Sequence, residues 1–174
     1  MTHPLSFPIG EFDRSAPITP DMRRAAIQHI AELPVHMRAA IEGLSDQQLE
    51  TPYRPGGWTV RQLVHHVADS HMNGFIRMKL ALTELNPTIK LYDQDEWARL
   101  ADVRLPIDVS LTLLDALHAR WSTVARATSP EGFSRTFTHP ELGQLTVDQH
   151  VQLYGWHCRH HVAHITSLRE RESW

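Results

Sequence analysis

The sequence contains a single cysteine, Cys158, among its 174 residues. One cysteine cannot form an internal disulfide, and such sparing use is typical of proteins from a reducing compartment. No apolar run approaches the roughly 20 residues of a membrane-spanning helix, and the N-terminus lacks a charged segment followed by an apolar one. We therefore expect a cytoplasmic protein without a membrane partner.

Basic residues are neither in excess nor clustered. The 17 lysines and arginines are outnumbered by 20 aspartates and glutamates, which gives a formal net charge of -3. Nucleic-acid-binding proteins usually show a basic block or stripe, and none is present, so we expect no nucleic-acid partner. The sequence also lacks a phosphate-binding loop and a dinucleotide-binding fingerprint.

Helical periodicity dominates what is present. The length suits a single domain, residues 1–174, with one core. An extended arm is expected over residues 1–18, and residues 133–145 predict a small hairpin or a loop. Pro34 predicts a kink or a break in the first helix. The four long helices are predicted at about residues 20–43, 59–85, 107–128 and 146–171. This pattern predicts an all-α protein, a four-helix bundle.

Histidine is the compositional outlier, and four of the 13 histidines fall within eight residues. In a helix, at about 100° per residue, these four share one arc of roughly 100°. Neutral imidazole is the commonest protein ligand of zinc-like metals, and histidines at i and i+4 can hold one ion. The spacing allows the pair His160 and His164 or the pair His157 and His161.

A polar stripe on the second predicted helix offers a third ligand. It consists of Gln62, His66, Asp69, Asn73 and Arg77. His66 is the member that binds metal most readily, whereas His65 points elsewhere on that helix. Three histidines would leave a coordination position open to water or substrate, which is typical of a catalytic metal site.

Several segments closely resemble the YfiT branch of the DinB superfamily. The longest runs from Tyr53 to Asn73, and a second runs from Trp156 to Ile165. Shorter segments are Phe7-Pro8-Ile9-Gly10, Leu117-His118-Ala119-Arg120-Trp121 and Thr138-His139-Pro140-Glu141. The resemblance extends over nearly the whole chain.

This resemblance implies a four-helix bundle that binds zinc or nickel. In the family, the first metal histidine follows the tryptophan at the start of the second helix by eight residues. Trp58 therefore maps this ligand to His66, and the other two ligands map to His160 and His164. YfiT-like members are described as homodimers, so we expect a homodimer.

The resemblance implies a small-molecule substrate and allows more than one reaction. YfiT-like proteins carry the label of metal-dependent hydrolases, and other members of the superfamily are thiol transferases that use a low-molecular-weight thiol. In both cases a divalent ion lowers the pKa of bound water or thiol. We expect hydrolysis, with thiol transfer as the first alternative and a non-catalytic metal-binding bundle as the second.

Other polar residues are assigned candidate roles. Asp69 lies one turn from His66 and is a candidate for orienting a ligand histidine or for acting as general base, but it equally fits a surface acid. His157 and His161 are candidates for contacts around the metal, and His161 also for catalysis. We expect Trp58 and Trp156 to pack in the core or an interface.

Overall fold

The structure is a computed structural model that describes residues 4–174. In chain order the α-helices are α1 (Pro20–Ile41), α2 (Asp46–Leu49), α3 (Val60–Thr83), α4 (Gln94–Trp97), α5 (Asp108–Ala127), α6 (Pro130–Phe133) and α7 (Val147–Glu172). Strands β1 (Thr136–His139) and β2 (Gly143–Thr146) form an antiparallel pair between α6 and α7. Short 3-10 helices lie at Pro4–Ser6 and Ala101–Arg104.

The predicted all-α bundle is confirmed, and the hairpin alternative for residues 133–145 is the one observed. Before α1, the described part of the arm holds one 3-10 turn, and the arm's first residues, 1–3, lie outside the described part of the chain. Among residues 4–174, no helix combines the length and apolar character needed to span a bilayer.

The two long helices that carry the histidines begin with the same capping arrangement. The hydroxyl of Thr59 accepts a hydrogen bond from the backbone N–H of Gln62, and the Gln62 side chain accepts one from the Thr59 backbone. Thr146 and Gln149 do the same at the start of α7. Each reciprocal pair satisfies two N–H groups that the first helical turn leaves without partners.

Pro34 does not break α1, which continues to Ile41. Proline has no N–H, so the Ile30 carbonyl loses the donor that normally lies four residues further along the helix. Nδ1 of His118, on α5, contacts this carbonyl oxygen instead. A side chain from a neighbouring helix thus satisfies the buried acceptor that Pro34 leaves free.

The helices run in an up-down-down-up arrangement. α1 packs against α5 and α7, and α3 also packs against α5 and α7. Residues late in α1 face residues late in α7, as in the bond from Arg169 to the Ala40 carbonyl, so these two helices are parallel. Residues early in α3 face residues late in α7, as for His66 and His161, so this pair is antiparallel.

The core contains histidines as well as apolar side chains. Trp121 of α5 is fully buried and donates its indole N–H toward the sulfur of Met78. His71, His118 and His150 are also enclosed among the large core residues. Nε2 of His150 lies 2.8 Å from the carbonyl oxygen of Gly74 and donates to it. Burying this many imidazoles requires that they be neutral and hydrogen-bonded.

Candidate metal centre

Five histidines from two antiparallel helices converge on one cavity of about 510 Å³. α7 contributes four of them because its residues 157, 160, 161 and 164 share one face, and α3 contributes the fifth, His66. The lining is completed by the arm, the loop before α3, and α4. It consists of Ser6, Phe7, Tyr53, Arg54, Gly56, Gly57, Trp58, Gln94, Asp95 and Trp156 besides the histidines.

The α7 histidines form two close i, i+4 pairs. Nε2 of His160 lies 3.0 Å from Nε2 of His164, and Nε2 of His157 lies 3.0 Å from Nε2 of His161. Two imidazole nitrogens bound to one zinc-like ion at about 2.0–2.1 Å would lie about 3.4 Å apart in tetrahedral geometry. Both pairs are at hydrogen-bond distance and about 0.4 Å short of this separation, so a small movement of the rings would fit either pair to a shared cation, and both pairings from the sequence stay available.

His66 lines the cavity from the α3 side. Its ring centroid is 5.1 Å from that of His161 and 6.0 Å from that of His157. Two groups have ligand nitrogens that all lie within 4.8 Å of one another: His66 with His157 and His161, and His160 with His161 and His164. Thus the structure brings His66 into the same cavity as His160 and His164, with His161 between them.

Burial keeps these imidazoles neutral. Burial, with a smaller contribution from the nearby His160, lowers the pKa of His66 to about 4. Burial also lowers the pKa of His160 to about 4 and that of His164 to about 3. Neutral imidazole is the form that binds a metal ion, so no proton need be lost from these rings at neutral pH.

The donor set fits a divalent metal. Nδ1 of His160 and Nδ1 of His161 are buried and have no hydrogen-bond partner among the described residues. The Nε2 atoms of the α7 histidines are hydrogen-bonded chiefly to one another, so a cation would replace contacts within the cluster rather than bonds to groups outside the cavity. A cluster of neutral nitrogen donors of this kind is chemically suited to zinc, nickel or a similar ion.

Two tryptophans form walls of the cavity. Trp58 lies with its ring centroid 4.4 Å from that of His66, and Trp156 stacks on His160 at 4.3 Å with an interplanar angle of 21°. Both are partly exposed, and Trp58 also packs against the hydrophobic core, as expected, whereas a place of either residue in an interface stays a prediction. Their rings hold the orientation of the two histidines that they contact.

The N-terminal arm passes over the mouth of the cavity. Phe7 lines it, with its ring 5.9 Å from that of His160. Trp156 donates its indole N–H to the carbonyl oxygen of Gly10 at 3.2 Å, and Phe12 packs on the same indole. These contacts attach an otherwise irregular segment directly above the histidines.

Asp69 is placed away from the histidines. It is not among the described residues that line the cavity, and no described group hydrogen-bonds its carboxylate. Burial, with a smaller contribution from Asp102, raises its pKa to about 6. Asp69 therefore faces the side of α3 that packs near the 3-10 helix Ala101–Arg104.

The sequence pattern does not identify three polar residues that line the cavity besides the histidines. Gln94 and Asp95 of α4 reach the cavity, as does Arg54 from the loop before α3. Asp95 is exposed, and its backbone N–H is capped by Asp93. The sequence around α4 carries no periodic signal that relates such a short helix to a distant one.

Neighbouring histidines on α3 have different surroundings. Nδ1 of His65 lies 2.7 Å from the hydroxyl of Ser110, and its Nε2 lies 3.1 Å from the Leu105 carbonyl, so His65 faces away from the cavity. His71 instead lies behind the cavity, where its Nε2 is 2.9 Å from Nδ1 of His157.

Comparisons with known proteins agree with this architecture. The profile of the DinB superfamily matches residues 29–165, which include every histidine of the cavity. A protein of Bacillus cereus (strain B4264) named "Putative metal-dependent hydrolase" is 54% identical over 170 residues, which cover 98% of both chains. A protein of Bacillus thuringiensis subsp. konkukian (strain 97-27) with the same name is also 54% identical over 98% of both chains.

A solved structure is similar over the whole fold. It is described as "YfiT from Bacillus subtilis is a probable metal-dependent hydrolase with an unusual four-helix bundle topology". The two chains are 45% identical, each is covered over 98% of its length, and the TM-score is 0.93.

Proposed function

Since this chain belongs to the DinB superfamily, we propose that it is a metal-dependent hydrolase of a small-molecule substrate. His66, His160 and His164 would hold a divalent ion, which we propose to be zinc, with nickel as the alternative. We call these three residues the outer set. When bound, such an ion lowers the pKa of water that joins it and so supplies a nucleophile near neutral pH.

The observation that carries this proposal is the close i, i+4 pair on α7. His160 and His164 have their Nε2 atoms 3.0 Å apart, and His66 lines the same cavity from the opposite helix. A charge on His160 would lower the pKa of His66, which reflects how near the two rings are. Three nitrogen donors leave room for a further ligand, and the remaining cavity has space for a small substrate.

The protein groups around the histidines would position the substrate. Tyr53 lies on His164 with ring centroids 4.2 Å apart, which leaves the cavity walled by aromatic rings on several sides. Arg54 and Asp95 place opposite charges at its edge. His161 contacts other histidines of the cavity, and its role in proton transfer stays a prediction.

Metal analysis tests the site directly. We expect purified wild-type protein to carry about one divalent ion per chain, and His66→Ala and His164→Ala to weaken binding by more than the 10–100-fold typical of a residue that only orients a ligand. His65→Ala is the matched control because His65 is the sequence neighbour of His66 but faces Ser110. Wild-type protein without bound metal, or both ligand variants retaining it, would show that the outer set is wrong.

Turnover assays separate the alternatives for the reaction. Metal-dependent cleavage of an ester or amide without added thiol supports hydrolysis. Turnover of an electrophile that requires a small thiol would support thiol transfer instead. Stoichiometric metal without turnover across broad panels of both kinds would support a non-catalytic bundle.

The homodimer is likewise a proposal. We expect size-exclusion chromatography with light scattering to give a mass of twice the chain mass of 19.9 kDa. A mass of one chain at working concentrations would contradict it.

A further inference from the structure

A chain of contacts between imidazoles extends from the cavity into the core. Nε2 of His157 lies 3.0 Å from Nε2 of His161, and Nδ1 of His157 lies 2.9 Å from Nε2 of His71. The buried ring of His71 lies 4.9 Å from that of His118, between centroids. His118 ends the series at the Ile30 carbonyl. We call His157, His71 and His118 the histidine chain.

The Ile30 carbonyl determines which nitrogen of His118 carries the hydrogen. A carbonyl oxygen only accepts, so Nδ1 of His118 must donate. Pro34 cannot supply the amide hydrogen that would otherwise fill this position, which makes His118 the required donor. His118 is buried and neutral, so it has a single N–H, and its Nε2 is therefore a bare lone pair.

The position of this hydrogen on His118 also bears on which ring nitrogen carries the hydrogen in His71 and in His157. Nε2 of His118 and Nδ1 of His71 are both buried without a hydrogen-bond partner among the described residues, although their rings contact each other. Two bare lone pairs on contacting rings repel, whereas an N–H beside a lone pair is attracted to it, which favours the hydrogen of His71 on Nδ1 even without a hydrogen bond between the two atoms. Nε2 of His71 is then bare, so Nδ1 of His157 donates to it. This leaves Nε2 of His157 without a hydrogen, directed at His161 in the cavity.

We propose that His66, His157 and His161 form a second binding position for a divalent cation, which we call the inner set. Ligand nitrogens of the three lie within 4.8 Å of one another. The histidine chain holds the hydrogen of His157 on the side away from the cavity, as the outer partner of a ligand histidine usually does. Because His66 is common to both sets, a cation occupies the inner or the outer position but not both.

This inference rests on the proposed metal binding but not on hydrolysis. The test therefore measures binding of Co²⁺ alone, through the visible absorption that the ion gains with nitrogen ligands. In the double variant His160→Ala/His164→Ala we expect one Co²⁺ per chain to remain bound, more weakly than in wild type. Adding His157→Ala should lower the affinity by about tenfold or more.

A matched triple variant provides the control. His65→Ala in the same double background removes another α3 histidine that faces away from the cavity, and Co²⁺ affinity should not change. A double variant that binds no Co²⁺ would overturn the inner set, as would equal affinities with and without His157. Wild-type protein that binds metal but hydrolyses nothing would count against the proposed reaction only.

A second measurement needs no substitution. Nitrogen-15 NMR distinguishes histidines that carry hydrogen on Nδ1 from those that carry it on Nε2. In metal-free wild-type protein we expect all three members of the histidine chain to carry it on Nδ1. A hydrogen on Nε2 of His157 would overturn the inference even where the variants fold poorly.

Discussion

At the scale of single residues, identical side chains have different roles because of their partners. His65 and His66 are adjacent in sequence, yet His65 is tied to Ser110 and Leu105 while His66 opens onto the cavity. The helical angle between them, about 100°, explains this difference and could be read from the sequence. The contact between His71 and His157 could not, because it depends on the relative height of α3 and α7.

Asp69→Asn tests whether this carboxylate is structural. Burial raises its pKa to about 6 in the folded protein from 3.8, so the folded state binds more protons than the unfolded state between these values. Stability should therefore fall as pH rises from about 4 to 6. Asparagine removes this penalty, so we expect a gain of about 1–2 kcal/mol at pH 7.5, allowing for partial exposure, and none at pH 4.

Melting temperatures of wild type and Asp69→Asn at the two pH values check the expectation, with metal content and turnover measured in parallel. We expect the metal content and the turnover of Asp69→Asn to stay near the wild-type values because Asp69 does not line the cavity. A fall in turnover of 100-fold or more with unchanged metal content would instead make Asp69 the general base.

At the scale of helices, the capping signals and the apolar periodicity placed all four long helices from sequence. The hydrophobic spacing could not show which helices are neighbours, and so it could not relate α4 to the histidines. Nor could it show that α1 passes through Pro34 intact, since that depends on His118 approaching the freed carbonyl from another helix.

Gly155→Ala tests the contact between the parallel helices α1 and α7. A methyl group at this position would lie 2.8 Å from both Cα and Cβ of Ala26, so the backbones must separate. Overpacking of this kind costs about 1–3 kcal/mol, whereas alanine in place of a helical glycine gains up to about 1 kcal/mol. We expect net destabilisation by about 1–2 kcal/mol in urea unfolding, and almost no effect from Glu170→Ala, an exposed site on the same helix. A more stable Gly155→Ala protein would contradict the close approach.

Trp156→Phe tests how the arm covers the cavity. Phenylalanine keeps a ring on His160 but cannot donate to the Gly10 carbonyl. We expect bound metal to be lost to a chelator several-fold faster, since the arm is released from the cavity mouth. Phe12→Ala weakens the same attachment by another route and should act in the same direction. Unchanged rates in both variants would show that the arm does not limit access.

At the scale of the whole molecule, the fold keeps many neutral imidazoles away from water. His118 and His150 lie in the core, and burial lowers the pKa of each to about 4 from 6.5. The unfolded chain therefore binds more protons than the folded one between about pH 6.5 and 4. Stability that is complete above pH 6.5 should be lost progressively as the pH falls through this window.

His150→Gln measures one part of this effect. The glutamine amide can donate to the Gly74 carbonyl as Nε2 of His150 does, but it does not titrate. Between pH 7 and 5 we expect the variant to lose about 2 kcal/mol less stability than wild type. An identical pH dependence for His150→Gln would show that His150 is not buried as a neutral ring.

The up-down-down-up arrangement also has a consequence for synthesis. The cavity needs the arm, α3 and α7, which are separated by most of the chain, and contacts of such long sequence separation form late in folding. A nascent chain in which α7 has not yet been made has His66 but none of the four histidines of α7. A metal ion held by the proposed site would therefore be captured only after α7 has been made and has packed against α3, so that loading would report this packing.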